Sequence, residues 1–148
     1  MKVTNLKLLA TSDEDLRVIA AHLQDAIVSV REIASLKKNR IFLIQLNRFM
    51  WEDVEKGVFR KYKRTRTVLK FDNVISVLSK NINKKKVNKN FLDFLTIESS
   101  LLPDKSYEIN LIFSGDSVIK IKAEVIDATL DDQGSPWETE TQPKHNYL

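Results

Sequence analysis

Cysteine is absent from this chain. That excludes disulfide bridges, thiolate nucleophiles and cysteine-ligated zinc or iron–sulfur centres. Glycine is scarce: the three residues stand at positions 57, 115 and 134, too dispersed for a Gly-rich phosphate-binding loop. The two histidines, His22 and His145, lie far apart, so no HxxxH or HExxH spacing exists and a histidine metal site is not expected. No apolar run approaches the roughly 18 residues of a membrane-spanning helix. The opening MKVTNLKLLATSDED turns acidic too early for a secretory signal. These absences predict a soluble cytoplasmic protein without metal, cofactor or membrane contact.

What remains is ample for a core. The chain has 148 residues, 43% hydrophobic and 30% charged, which fits one globular domain. We expect that domain over 1–132 and a tail over 133–148. The formal charge of +4 hides a polarity: residues 1–55 carry eight basic and eight acidic groups, 56–89 twelve basic groups against Asp72 alone, and 90–148 four basic against eleven acidic. Such polarity signals a basic surface for a polyanion, or a middle and a C-terminal third that lie against each other.

The densest apolar stretch is 41–53, IFLIQLNRFMWED. Read as a strand, its two faces are both largely apolar, which predicts a strand buried on both sides within a covered sheet. The clearest helix precedes it. Thr11 and Glu14 form a capping-box pattern, acidic residues 13–15 suit the positive end of a helix dipole, and Leu16, Ile19, Ala20, Leu23, Ala26 and Ile27 form an apolar stripe. This predicts a helix over 12–26. Residues 3–9, 27–37, 40–52, 65–71, 74–78, 91–97, 107–113 and 118–123 read as strands. An irregularity is expected near Arg31–Glu32, a bend at Asp72–Asn73, and a hairpin turn at Gly115–Asp116. The 27–37 and 40–52 strands should pair antiparallel. Residues 54–63 and 81–90 read as connections, 125–131 as a short helix, and 133 onward as loop or tail. The fold class is α+β: about seven or eight mostly antiparallel strands in consecutive hairpins, forming a rolled sheet or small barrel in a broadly pleckstrin-homology-like arrangement.

Several stretches also carry a family likeness: LKLLA with EDL (6–10 and 14–16), VIAAHLQDA (18–26), LNRFMWED (46–53), FDNVISV (71–77) and GSPW (134–137). Together they resemble the bacterial proteins grouped as domain of unknown function 2948. The resemblance implies an alphaproteobacterial, cytoplasmic, single-domain protein and transfers no activity, ligand or catalytic residue. Met50 stands where that family leads one to expect a basic residue, and the lysine-rich 81–90 segment exceeds the family's link.

Three groups of side chains are candidate sites. His22 and Asp25, three apart on the expected helix, suit an oriented base; the alternative is a surface or boundary pair. Asn47, Arg48, Trp51, Glu52 and Asp53 combine the side chains that dominate interfaces with carboxylates able to hold a cation. In strand geometry Asn47, Trp51 and Asp53 share one face, and Arg48 and Glu52 the other. Their structural alternatives are a buried Arg48–Glu52 pair, or a solvated strand end with Trp51 in the core. Arg60, Lys61, Tyr62, Lys63, Arg64 and Arg66 form a basic stretch with an interleaved aromatic, suited to phosphates and unpaired bases; the alternatives are compositional drift and neutralisation by the acidic C-terminal third. Trp137, after Gly134–Ser135–Pro136, reads as an anchor pinning the C-terminus or as a hook for a partner. The best single reading is a non-catalytic binding or adaptor protein, with a protein partner or self-association. Nucleic-acid binding through 56–70 and a small enzyme built on His22 and Asp25 are its rivals.

Overall fold

In a computed structural model, residues 5–52, 62–82 and 91–139 are described. One helix, α1 (Asp13–Leu23), follows β1 (Lys7–Ala10). The other strands are β2 (Ile27–Leu36), β3 (Ile41–Phe49), β4 (Tyr62–Phe71), β5 (Val74–Lys80), β6 (Phe91–Leu101), β7 (Tyr107–Phe113), β8 (Ser117–Ala123) and β9 (Ala128–Thr139). They form one antiparallel sheet in the order β1-β9-β4-β3-β2-β6-β7-β8-β5. The α+β class and the rolled antiparallel sheet are as expected, and β3 is interior to the sheet. The sheet is open rather than a closed barrel.

Strand count and connectivity differ from expectation, because nine strands are present among the described residues and only some neighbours in sequence form hairpins. β4 and β5 are the arms of one bent strand, and β9 and β8 are the arms of its partner. The ladder runs from Phe71 opposite Ala128 to Val74 opposite Ala123. Across the corner Asp72 N–H donates to the Asp127 carbonyl and Glu124 N–H to the Asn73 carbonyl. Asn73 takes a left-handed φ of 57° and its amide donates to the Asp127 carboxylate, so the Asp-Asn pair makes the bend that its chemistry predicts. Pairing through this corner leads the chain from one half of the sheet to the other.

Sequence and structure agree on how β2 and β3 pair, but not on the burial of β3, which was expected on both faces. The two strands pair antiparallel, with a register shift between Val28 and Ile33 where the irregularity was expected. A 3-10 turn over Lys37–Asn39 and a left-handed Arg40 close the hairpin. On β3 the even positions 42–48 are buried and the odd positions 41–47 half-buried, so the strand is sealed on one face only. The sealed side meets Leu69 and Phe71 of β4, Val28 of β2, the inward residues of β6–β8, and Leu16, Ile19, Ala20 and Leu23 of α1. α1 lies mainly against β6 and also meets β1 and β3, and Ser99 of β6 donates a hydrogen bond to the Asp13 carboxylate.

Local corrections have local causes. The helix N-cap is Ser12, whose hydroxyl accepts from Asp15 N–H; the Asp15 carboxylate accepts from Thr11 N–H at 3.0 Å. The cap is thus displaced by one residue from Thr11–Glu14, and the Asp15 carboxylate reaches back past the N-cap to the residue before it. The helix stops at Leu23, before the expected residue 26, because Asp25 has φ 62° and its N–H donates to the Phe94 carbonyl, entering the sheet. The short helix expected over 125–131 does not form: β9 starts at Ala128, where backbone pairing to β4 and β1 overrides a weak helical pattern. Nor are residues 133–139 loop or tail. They continue β9, and residues 134–136 bulge from the ladder opposite Thr65. Gly134 supplies the φ of +72° that the bulge requires, and Pro136, with no N–H to donate, is tolerated at this irregularity.

Candidate functional site

The end of the sheet formed by β3, β4 and β9 gathers most of the singled-out side chains. Within β3, Arg48 falls on the buried face and is fully inaccessible to solvent. An unpaired guanidinium there would be severely destabilising, and two carboxylates meet it. Its Nε and Nη2 donate to Asp132 of β9 at 2.9 and 2.8 Å, while Nη1 and Nη2 donate to Glu52 at 2.9 Å each. Both pairings are bidentate, the geometry for which a planar guanidinium is suited. Asp132 also accepts from Leu6 N–H at 3.0 Å. The cluster therefore ties β3 to β9, to the segment before β1, and to the turn after β3.

The electrostatics follow from burial and pairing. Burial opposes ionisation of Asp132 and of Glu52, but the hydrogen bonds and charge of Arg48 outweigh it and hold both carboxylates below their ordinary range. For Arg48, burial likewise disfavours the charge, and Asp132 and Glu52 overcome it, so the guanidinium is held more firmly protonated than usual. Glu52 is therefore committed to an ion pair rather than poised to hold a cation. Among the described residues no three His, Asp or Glu side chains cluster as a metal site would require.

The turn after β3 corrects the expected faces. The strand ends at Phe49, and Trp51 and Glu52 are helical, so Glu52 reaches Arg48 through a turn rather than along a strand face. Asp53 lies outside the described residues. Trp51 is half-buried, with its indole N–H donating to the Gln24 carbonyl at 2.9 Å just past the end of α1. Its ring meets Phe49 edge-on at 4.6 Å between centroids, and Tyr62 lies 5.8 Å from the same Phe49 ring.

Cross-strand pairing extends this aromatic cluster outward. Phe49 stands opposite Arg64, and Arg64 opposite Trp137, so the three share the outer face of neighbouring strands. The Arg64 guanidinium lies 5.8 Å from the centroid of the fully buried Phe49 ring and donates to the Asn47 carbonyl at 3.1 Å. Burial lowers the Arg64 pKa, opposed by the charges of Asp25 and Asp93. The next row holds Asn47, Arg66 and Gln133. Tyr62 and Trp137 remain 38% and 40% exposed. Trp137 is thus a ladder residue of β9 rather than part of a loose tail, and it stays partly open to solvent.

The basic stretch is only partly a basic surface. Lys63 lies across from Glu138, Val68 across from Asp131, and Lys70 is 3.6 Å from the Asp72 carboxylate. Acidic residues of the C-terminal third do lie against it. Arg60 and Lys61 lie outside the described residues. Neither do His22 and Asp25 stand as an i,i+3 helical pair, because Asp25 is beyond the helix. The His22 Nδ1 instead lies 2.9 Å from the Val18 carbonyl, a contact that requires Nδ1 to carry the proton.

Gln24, Phe49, Asp93 and Asp132 are the members of this site that sequence reasoning did not single out. One signal was available for Asp132: it shares strand parity with Ala128 and Leu130, both buried, so an acid on that face demands a buried cation. Reading the segment as helix concealed it.

Among known families, the one described as "Protein of unknown function (DUF2948)" matches residues 6–145. No curated protein and no solved structure matches the chain.

Proposed function

The chain belongs to the DUF2948 family, which brings no assigned activity with it, and from the site itself we propose that the protein works in the cytoplasm by binding a protein partner, without catalysis. One observation carries this reading. Phe49, Arg64 and Trp137 form a cross-strand row, flanked by Trp51 and Tyr62, with Trp137 and Tyr62 open to solvent. Tryptophan, tyrosine and arginine are the residues that carry most interface energy. Here the backbone that bears them is fixed from beneath by Arg48, so little entropy is lost when a partner docks. Among the described residues, no helix is long and apolar enough to cross a membrane.

The test places a photo-crosslinking phenylalanine analogue at position 62 or 137 in cells. The expected result is one discrete product with another protein, whose yield falls when Arg66→Glu is added. Absence of a product, or a yield indifferent to Arg66→Glu, would refute the reading. Nucleic-acid binding is the second reading, favoured by Tyr62, Arg64 and Arg66 alternating onto one face of β4. It predicts a nuclease-sensitive crosslink and a steep salt dependence that flattens on charge reversal at Arg60, Arg64 and Arg66.

A further inference from the structure

The sheet has two edges, and they are treated differently. β1 is four residues long; β5 runs for seven, from Val74 to Lys80. β5 pairs with β8 on one side. On its other side Val74 N–H donates to the Arg40 carbonyl and the Val74 carbonyl accepts from Arg40 Nε at 3.3 Å, and beyond Val74 no backbone–backbone hydrogen bond forms there among the described residues. Ile75 and Leu78 are 48% and 66% exposed. An open edge of this length is a template for an added strand, and proteins usually blunt such edges.

Two cavities border this strand. One, of about 580 Å³, separates its first half from the tip of the β2–β3 hairpin and is lined by Lys37, Arg40, Ile75 and Glu124 among others. The other, of about 520 Å³, lies beside Leu78 and Lys80 on the outer face of β7 and β8. The charges along this edge are mostly of one sign. Arg40 is already paired with Glu124 at 2.6 Å. Lys37, which lines the first cavity, its neighbour Lys38, and Lys80, which lines the second, make no ion pair among the described residues. Glu98, the acid facing the second cavity, belongs to β6, three strands from the edge.

We propose that β5 is a second docking edge, which captures an extended segment of another protein in which apolar and acidic residues alternate. Backbone pairing to β5 supplies affinity without regard to sequence, and alternate side chains supply selectivity. The apolar ones cover Ile75 and Leu78, and the acidic ones meet Lys37 and Lys38 at the hairpin tip; Lys80, two residues from Leu78 and on the same face of β5, meets an acid at the end of the captured segment. A second copy of this chain fits less well, since a two-fold β5–β5 pairing would bring these uncommitted lysines of both copies to one interface. This edge is separate from the aromatic row on β3, β4 and β9, and the proposal stands without it.

The experiment titrates full-length protein with fluorescein-labelled peptides of alternating valine and glutamate, or of alternating valine and lysine. Amide shifts of the 15N-labelled protein are mapped alongside. The acidic peptide should bind, shifting amides of residues 75–80, and the basic one should not. The variant Lys37→Glu/Lys38→Glu/Lys80→Glu should keep the parent Tm and weaken acidic-peptide binding by about tenfold or more. Equal binding of both peptides, shifts confined to β1, β9 or the aromatic row, or an unaffected triple variant would each overturn the proposal. So would a sedimentation result showing β5 already occupied by a second copy, or an oligonucleotide reproducing the same shifts.

Discussion

Replacing Arg48 by Met isolates the buried ion cluster from the rest of the fold. Methionine preserves an unbranched apolar stem and removes all four hydrogen bonds to Asp132 and Glu52. The consequences for the two carboxylates differ. The Glu52 side chain is 25% exposed and can turn to water, whereas Asp132 is 3% exposed and keeps only its bond from Leu6 N–H among those to Arg48 and Leu6. The loss is therefore dominated by one buried, uncompensated charge, for which about 3–5 kcal/mol is expected. That is a large share of a total stability of about 5–15 kcal/mol, and at roughly 2–4 °C per kcal/mol in a domain of this size it lowers the Tm by about 6–20 °C. Urea unfolding followed by the fluorescence of Trp51 and Trp137 reads it directly. Arg48→Met/Asp132→Asn should recover stability relative to Arg48→Met alone, because the amide still accepts from Leu6 N–H and carries no charge. A loss below about 1 kcal/mol, or a double variant no more stable than the single one, would refute the reasoning.

Acid titration and the helix cap give two further predictions. Asp132 and Glu52 are held below their ordinary values in the folded state, so their contribution is complete above the unfolded pKa values of about 4 and is lost as pH falls through the lowered folded values. Parent stability in urea should accordingly fall below about pH 4, and the gap to Arg48→Met should narrow on the way down, since an unpaired buried Asp132 protonates more readily; a constant gap would contradict this. Ser12→Ala should cost about 1 kcal/mol by orphaning Asp15 N–H, while Thr11→Ala, outside the cap, should cost less in the same unfolding assay.

Several levels of this protein were legible in one dimension. The apolar stripe of α1, the alternation on β7 and β8, the polar break between β2 and β3, and the Asp-Asn and Gly-Asp turns are local signals. Each rests on side-chain period or on a residue's own backbone preference, so the α+β class followed from them. The family likeness was legible for the same reason, in words of local sequence. Helix ends and β9 were misread because their backbone partners lie far away: Phe94 captures the chain at Asp25, and β4 draws residues 128–139 into the sheet.

The site was half-legible. Arg48 and Glu52 could be suspected as a pair from proximity in sequence, but Asp132 lies 84 positions from Arg48 and enters only because β9 returns beside β4. The row of Phe49, Arg64 and Trp137 joins three strands that nothing local connects. Sequence alone determined α1 and most of the strands, though not β9, and which of their faces are apolar. Tertiary pairing decided which of their polar and aromatic side chains meet, because register between distant strands is set by the shared core and not by any residue's neighbours.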